Sequence, residues 1–413
     1  MKVNLKYILF ILVLYFFVFK YFFETIIIIP GIGYIDEIIA LSAVPLFIYD
    51  LIKKQLRIKV TIGWGIFIFL FMSIGLLGNY IYAYQTNQKI VLLDAFLCIK
   101  FWLTIYTGRS IFSNFNLPKY AKKIYFHIRL IIWVYVILII LDYILKIFPS
   151  TIRYGIRSIE LFYGHPTVFV ASCVFLTTIL VSIRPFINHS DKYFVLLLLL
   201  QMTSLRVKAY GAILVFALIY YMVYIKHKKI NLRIFFVIIP LVLIIARKQI
   251  SYYFFSSIQA ESARFQLLIK SIQIANDSFP LGAGFGTFAS YYSAMSTSDY
   301  SPLYYKYHLS HIYGLIKGEA DFVSDSFWPM IVGQTGWIGL VLFIVSLISL
   351  IVCIQKLKYY NSSYNIGALF IIIYLMIAST AEAAFVSPVA IPFAIWLGIL
   401  FSADERERNI LKK

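Results

Sequence analysis

Charged residues are scarce in this 413-residue chain. They make up 13% of it, whereas ordinary globular domains contain about a quarter. Apolar residues account for 62%. This balance excludes an ordinary soluble domain and indicates a membrane protein.

Cysteine is also rare, and Cys98, Cys173 and Cys353 include no CxxC pair. The sequence therefore indicates neither a disulfide framework nor a CxxC zinc site. It also lacks a DxD-like run or a histidine cluster that would suggest a metal site. We expect neither a metal nor another cofactor.

What the chain does contain is apolar runs near 20 residues long, the length that crosses roughly 30 Å of hydrocarbon. We predict an all-α polytopic membrane protein, one transmembrane domain over residues 1–413, with about twelve transmembrane helices. The predicted spans are 7–29, 36–52, 60–78, 89–107, 128–148, 168–183, 193–205, 209–225, 234–250, 326–352, 366–384 and 388–402.

The net charge of +19 would fit a nucleic-acid partner, but the basic residues are distributed otherwise. Most of them lie at the termini and in alternate connections. The positive-inside rule makes those connections and both termini cytoplasmic. The charge is thus a topology signal, and we expect no nucleic-acid partner. The basic clusters lie within 53–59, 109–129, 184–192, 226–233 and 356–358, and in the C-terminal tail at 406–413.

One connection is much longer than the rest. Residues 251–325, between the ninth and tenth spans, lie on the external face in this topology. Tyrosines recur between 291 and 313, and disordered segments are poor in aromatic residues. We predict a folded external cap.

Within this loop, Gly282, Gly284 and Gly286 follow Pro280 at alternate positions. They match neither the dinucleotide pattern GxGxxG nor a P-loop. They either shape a tight turn that approaches other helices closely, or present backbone amides to a diphosphate. The preceding stretch, 261–277, has the apolar spacing of an amphipathic helix. It would lie on the outer membrane surface with Arg264 at headgroup depth.

Several charged residues share the predicted external face. Arg206 and Lys208 lie at a helix end, where they either serve a polar cavity or extend towards the headgroups. Asp325 begins the tenth span, as a catalytic group or as a helix cap. The remaining candidates are Arg157, His165 and Glu382.

The order of these motifs resembles the O-antigen polymerase and O-antigen ligase family of bacterial surface-polysaccharide enzymes. The resemblance is clearest between about 160 and 345. The segments that carry it are "GHPTVFVASCVF", "TSLRVKAYGAILVF", "SARFQLLIKSIQIANDSFPLGAGFGTF" and "DSFWPMIVGQTGWIGLVLFI".

The resemblance implies a glycosyltransferase of the bacterial cytoplasmic (inner) membrane, making O-antigen or capsule. A polymerase transfers the growing glycan from undecaprenyl diphosphate to the next lipid-linked repeat unit, without a metal. The partners would be that lipid-linked oligosaccharide and a chain-length regulator membrane protein. Arginines would stabilise the leaving diphosphate, and Asp325 or His165 would act as the general base. Arg206, Arg264, Arg157, Lys208 and Glu382 would bind the diphosphate or sugar.

Ligases of this family tend to have histidine where this chain has Asp325, which favours a polymerase. A ligase that uses another acceptor is the first alternative. A polysaccharide flippase or other transporter is the second, since Lys20, Asp94, Lys100 and Asp142 fall within or near spans.

Overall fold

The apolar runs form helices in the computed structural model, which describes residues 5–25, 27, 31–53, 58–153, 155–227, 240, 244, 247, 262–294, 300–357 and 363–411. The helices are α1 Leu5–Thr25, α2 Ile35–Leu41, α3 Ala43–Ile52, α4 Ile58–Tyr82, α5 Gln88–Ile111, α6 Leu117–Leu145, α7 Pro166–Ile183, α8 Ser190–Met202, α9 Val207–Tyr220, α10 Ala263–Asp277, α11 Tyr291–Ala294, α12 Pro302–Lys306, α13 Phe327–Gln355, α14 Ser363–Ala378 and α15 Ala390–Leu411. Strands β1 Ile152–Arg153 and β2 Ile156–Arg157 form a short antiparallel hairpin.

Seven of the described helices are long and apolar enough to cross a membrane. They are α1, α4, α5, α6, α7, α13, and α9 with its π-helical extension to Ile225. α14 is apolar but shorter, with 16 residues. The predicted ninth span, 234–250, lies almost wholly outside the described residues.

The predicted span 36–52 is not one continuous helix. It divides at Ser42 into α2 and α3. The Ser42 hydroxyl donates to the carbonyl of Ile39 at 2.6 Å, as does the Thr107 hydroxyl at 3.1 Å. These two bonds, one local and one from α5, satisfy a carbonyl at the break, which periodicity alone does not reveal.

Small residues allow neighbouring helices to approach closely, as is common in membrane proteins. α15 packs on α5, where a Cβ on Gly398 would lie 2.4 Å from the carbonyl oxygen of Ile105. α14 packs on α7 in a similar way, with Gly367 against the Ser182 hydroxyl.

α10 packs along the first half of α13. Arg264 pairs with Asp325 before α13 begins, and Asn276 accepts a hydrogen bond from the Trp337 indole at 2.8 Å. The two helices therefore run side by side in the same direction. α10 therefore has a helical partner along its length, which the apolar spacing of 261–277 does not indicate, and its position on the membrane surface stays a prediction.

The glycine segment after α10 is buried between α4, α5 and α13. Gly282, Gly284 and Gly286 all have φ between 72° and 94°, a region that side chains with a Cβ rarely adopt. Gly284 lies against Asn79 of α4, and Gly286 against Ile90 of α5. α12 covers this segment, and Tyr304 stacks on Phe288 with ring centroids 6.0 Å apart.

Candidate functional site

The predicted site residues come from loops at one end of the helices. This is the end where α6, α8 and α14 finish and α7, α9 and α13 begin. The loop after β2 is fastened to the end of α8: Ile159 N–H donates to the Thr203 carbonyl at 3.0 Å, and the Ser158 hydroxyl to the Ser204 carbonyl at 2.7 Å. These bonds bring the chain before α7 beside the chain before α9.

Arg206 occupies the N-cap position of α9 with an extended backbone. Its half-buried guanidinium has no carboxylate within ion-pair distance in the described part of the chain. Its Nε is buried and makes no hydrogen bond there. Burial, followed by the charge of Arg153, lowers the pKa of Arg206. A guanidinium that is partly desolvated and unpaired is suited to binding an anion.

His165 lies beside this guanidinium, with its Nε2 3.5 Å from Arg206 Nη2. Its Nδ1 is 2.6 Å from the Thr167 hydroxyl oxygen, which fixes the ring at the start of α7. The residue as a whole is exposed, although neighbouring protein atoms partly desolvate its imidazole. Burial lowers the pKa of His165 to about 4. The positive charges of Arg206, Lys208 and Arg153 also lower this pKa. The imidazole is therefore neutral at pH 7.

Glu160 and Arg153 complete this side of the site. Glu160 is 5% exposed. Burial raises the pKa of its carboxyl, and the charges of Arg206 and Arg157 oppose that rise without cancelling it. The sequence contains both residues in one polar segment with Arg157 and His165, but spacing could not show which of them turn towards Arg206.

Lys208 and Glu382 form an ion pair two residues into α9. Lys208 Nζ donates to Glu382 Oε2, and the lysine side chain is only 10% exposed. This pair ties α9 to the loop after α14. The charges of both residues act on the groups around Arg206.

Arg264 and Asp325 form a second ion pair, with Nη2 and Oδ2 2.7 Å apart and both side chains about a third exposed or less. Asp325 ends a 3-10 turn, and the N-cap of α13 is Ser326, which makes no side-chain capping bond. Helix capping therefore does not account for Asp325. Its contact is with the arginine at the start of α10.

Several cations thus lie around Arg206, which has no ion pair among the described residues. Electrostatic coupling links Arg206 to Arg153, Glu160, Arg264 and Glu382. Two of the carboxylates are held in ion pairs and the third has a raised pKa. The arrangement can bind an anionic group close to a neutral imidazole.

Arg157 is held by an ion pair that its sequence context does not indicate. Its guanidinium donates to both oxygens of Asp142, at 3.3 and 3.1 Å, and to the Phe148 carbonyl. Asp142 is fully buried near the end of α6. Removing a buried carboxylate's partner is costly, so Arg157 fastens the β-hairpin to α6.

The glycine segment has no spare amides in the run 282–286. Gly282 N–H donates to the Ser278 carbonyl, Ala283 to Gly333 and Gly284 to Gln334, all within 3.0 Å. The next two amides donate to side chains, Phe285 N–H to Asn79 Oδ1 and Gly286 N–H to Asp94 Oδ2, both at 2.7 Å. The diphosphate interpretation of the glycines is therefore not supported, and the segment shapes the packing of α10.

Some charged residues within the described helices also have partners. Asp36 is fully buried between Lys20, at 3.2 Å, and Lys100, at 2.6 Å. Asp94 holds the glycine segment. Among the described residues there is no group of three or more His, Cys, Asp or Glu able to hold a metal ion. Asp36 was missed in the sequence, because nothing in its local pattern indicates two lysine partners.

Comparison of the sequence with protein-family models and with curated proteins gave no match. The function must therefore be argued from the chemistry of this site.

Proposed function

We propose that the chain is a glycosyltransferase that polymerises a bacterial surface polysaccharide, O-antigen or capsule. It transfers the growing glycan from undecaprenyl diphosphate to the next lipid-linked repeat unit. The observation that carries this proposal is the unpaired Arg206 guanidinium 3.5 Å from the neutral His165 ring, within a cluster of cations.

The reaction forms a bond between an acceptor hydroxyl oxygen and the anomeric carbon of the donor. The bond from that carbon to the diphosphate breaks, and undecaprenyl diphosphate leaves with the electron pair. Arg206 binds the diphosphate, because negative charge grows there in the transition state and a guanidinium can hold two oxygens at once. Lys208 and Arg264, each paired with a carboxylate, lie close enough for their charges to act on Arg206.

The proton of the acceptor hydroxyl goes to His165. An imidazole accepts a proton only when neutral, and the lowered pKa of His165 keeps it neutral. The cations that lower this pKa are those that a bound diphosphate would offset, so substrate binding raises the proton affinity of the base when it is needed. Asp325 is less suited to be the base because its carboxylate is paired with Arg264. It orients that guanidinium instead.

The proposal includes a membrane topology. The enzyme has about twelve spans in the bacterial cytoplasmic membrane, both termini in the cytoplasm and the site on the external face. The support is the alternation of basic connections with the loops that carry the site. Reporter fusions at residues 230 and 290 should give cytoplasmic and external signals respectively. The opposite pattern would place the site on the wrong side for an extracytoplasmic donor.

The decisive experiment is deletion of the gene followed by gel analysis of surface glycan. A polymerase deletion should reduce the glycan ladder to single repeat units, and the wild-type gene should restore it. Arg206→Lys should restore it poorly, whereas the matched control Lys317→Gln, an exposed cation of the 251–325 loop, should restore it fully. An unchanged ladder in the deletion strain would reject the proposal.

The same assay separates the two alternatives. A ligase would leave polymer of normal length that fails to reach its acceptor. A flippase or transporter would leave the lipid-linked repeat units on the cytoplasmic side, where external labelling does not reach them.

A further inference from the structure

A cavity lies at the other end of the helices from the candidate site, between the starts of α6 and α8. Its volume is about 420 Å³, within the range of roughly 300–1,000 Å³ that is usual for small-molecule sites. Three basic residues line it together with aromatic and polar groups. The lining residues that matter here are Lys122, Tyr125, Phe126, Arg129, His189 and Lys192.

The basic side chains of the cavity lack acidic partners in the part of the chain that the structure describes. No carboxylate within the described ranges lies at ion-pair distance from Lys122, Arg129 or Lys192. The nearby acid, Asp191, is paired with Arg184 at 3.1 Å. The cavity therefore presents uncompensated positive charge.

Part of this cavity is held in place by local contacts. The Tyr125 hydroxyl donates to the His189 carbonyl at 3.3 Å, which joins α6 to the connection before α8. The Arg129 guanidinium lies over the Tyr125 ring, 5.2 Å from its centroid. Arg129 lies two turns beyond Lys122, so the charges are spread over about 10 Å along α6.

An apolar wall continues from the cavity along both helices. On α6, Phe126, Leu130 and Trp133 are exposed, and on α8 Val195 and Leu199 are exposed. These residues belong to helices that carry the apolar runs of the chain. A ligand with a negative head and apolar tails would match both the cavity and the wall.

We propose that this cavity binds the phosphate headgroup of an anionic glycerophospholipid, with its acyl chains along the wall. Basic pockets between membrane helices on the cytoplasmic side are suited to such headgroups, since each nearby Lys or Arg contributes attraction and the lipid supplies its own hydrophobic anchoring. The positive-inside rule places this end of the helices at the inner leaflet. The site is separate from the proposed glycan chemistry and does not depend on it.

The test uses the purified full-length protein in an uncharged detergent. Titration with phosphatidylglycerol, read by native mass spectrometry and by the apparent melting temperature, should show saturable binding. Phosphatidylcholine should bind much more weakly. The double variant Lys122→Gln with Lys192→Gln should weaken phosphatidylglycerol binding about 25-fold, from about fivefold per charge.

The matched control is Lys119→Gln with Lys123→Gln. These lysines are on the same helix and are exposed, but they lie over the rings of Tyr120 and Tyr7 and do not line the cavity. This control removes the same charge and should change binding by about twofold or less.

Three outcomes would overturn the proposal. Equal losses in the two double variants would mean attraction by net charge without a site. Equal binding of phosphatidylcholine would mean that the phosphate charge is not recognised. Displacement of phosphatidylglycerol by inorganic phosphate or soluble glycerol phosphate at similar concentrations would identify a phosphate site that does not require the lipid.

Discussion

Replacing Gly284 by Ala should strongly destabilise the protein. Gly284 has φ +94°, and a Cβ there would lie 2.5 Å from Asn79 Cγ and 2.6 Å from its backbone nitrogen. Real Cβ atoms do not approach so closely, so Asn79 or the glycine segment must move. Either movement disturbs two hydrogen bonds: Asn79 Nδ2 donates to the Phe285 carbonyl at 2.8 Å, and Phe285 N–H donates to Asn79 Oδ1 at 2.7 Å.

The expected size follows from three contributions. The left-handed backbone costs about 1–2 kcal/mol for a residue with a Cβ. Crowding in a packed interior costs about 1–3 kcal/mol, and the two disturbed hydrogen bonds about 1 kcal/mol each. The contributions overlap, because movement that relieves crowding is what strains the bonds. We therefore expect a loss of about 3–5 kcal/mol in the free energy of unfolding.

Gly155→Ala is a matched control for backbone strain. Gly155 has φ +76°, and a Cβ built on it has no atom within 4 Å. Gly155→Ala should therefore lower the free energy of unfolding by only about 1–2 kcal/mol, the cost of the left-handed backbone. Membrane abundance and the apparent melting temperature in detergent would be compared for the two variants. Equal losses would show that the close contact with Asn79 does not constrain the segment, and the packing argument would be wrong.

Three further predictions concern the candidate site. Arg206→Gln should reduce polymerisation about a hundredfold, because loss of one anion-stabilising donor has about that effect on the rate. Arg206→Lys should reduce it about tenfold, because lysine keeps the charge but lacks the bidentate guanidinium. Ladder length, quantified against Lys317→Gln, checks this, and normal ladders in both Arg206 variants would contradict it. The ratio kcat/KM reports the ionisation of the free enzyme. Because the pKa of His165 is about 4, kcat/KM should stay flat as pH falls from 7 to about 5. A decline centred near the ordinary histidine pKa of about 6.5, absent from His165→Gln, would show that the pKa of His165 is not lowered. Asp325→Asn should reach normal abundance, because the ion pair of Asp325 with Arg264 is partly exposed and such pairs contribute about 0–1 kcal/mol to stability. This variant should lower activity less than His165→Gln does. A larger loss of activity in Asp325→Asn than in His165→Gln would make Asp325 the base.

The membrane class and the helical architecture could be predicted from the sequence, because transfer of apolar surface depends mainly on composition and run length. Composition and run length do not determine where such a helix breaks. Residues 36–52 are apolar enough for one span, yet two hydroxyl groups favour a division at Ser42. One of those hydroxyls belongs to Thr107, which lies 65 residues away from Ser42 in the chain.

At the candidate site, too, the sequence determined some features and the tertiary structure determined others. Local sequence determined that Arg157, Arg206 and Arg264 would lie at helix ends or loops, because a guanidinium cannot remain unpaired in hydrocarbon. Only the tertiary structure decided their roles. Arg157 meets a buried Asp142, Arg264 meets Asp325, and Arg206 meets a neutral histidine with no carboxylate at ion-pair distance in the described residues.

For the glycines, the sequence determined the local backbone but not its tertiary contacts. Their spacing after Pro280 determined that the backbone would turn where side chains with a Cβ cannot follow. It did not determine what the turn would touch. Asn79 and Asp94 bind its amides from α4 and α5, about 200 residues earlier in the chain. A buried amide requires an acceptor but does not specify which one, so the partner is fixed only when the helices pack together.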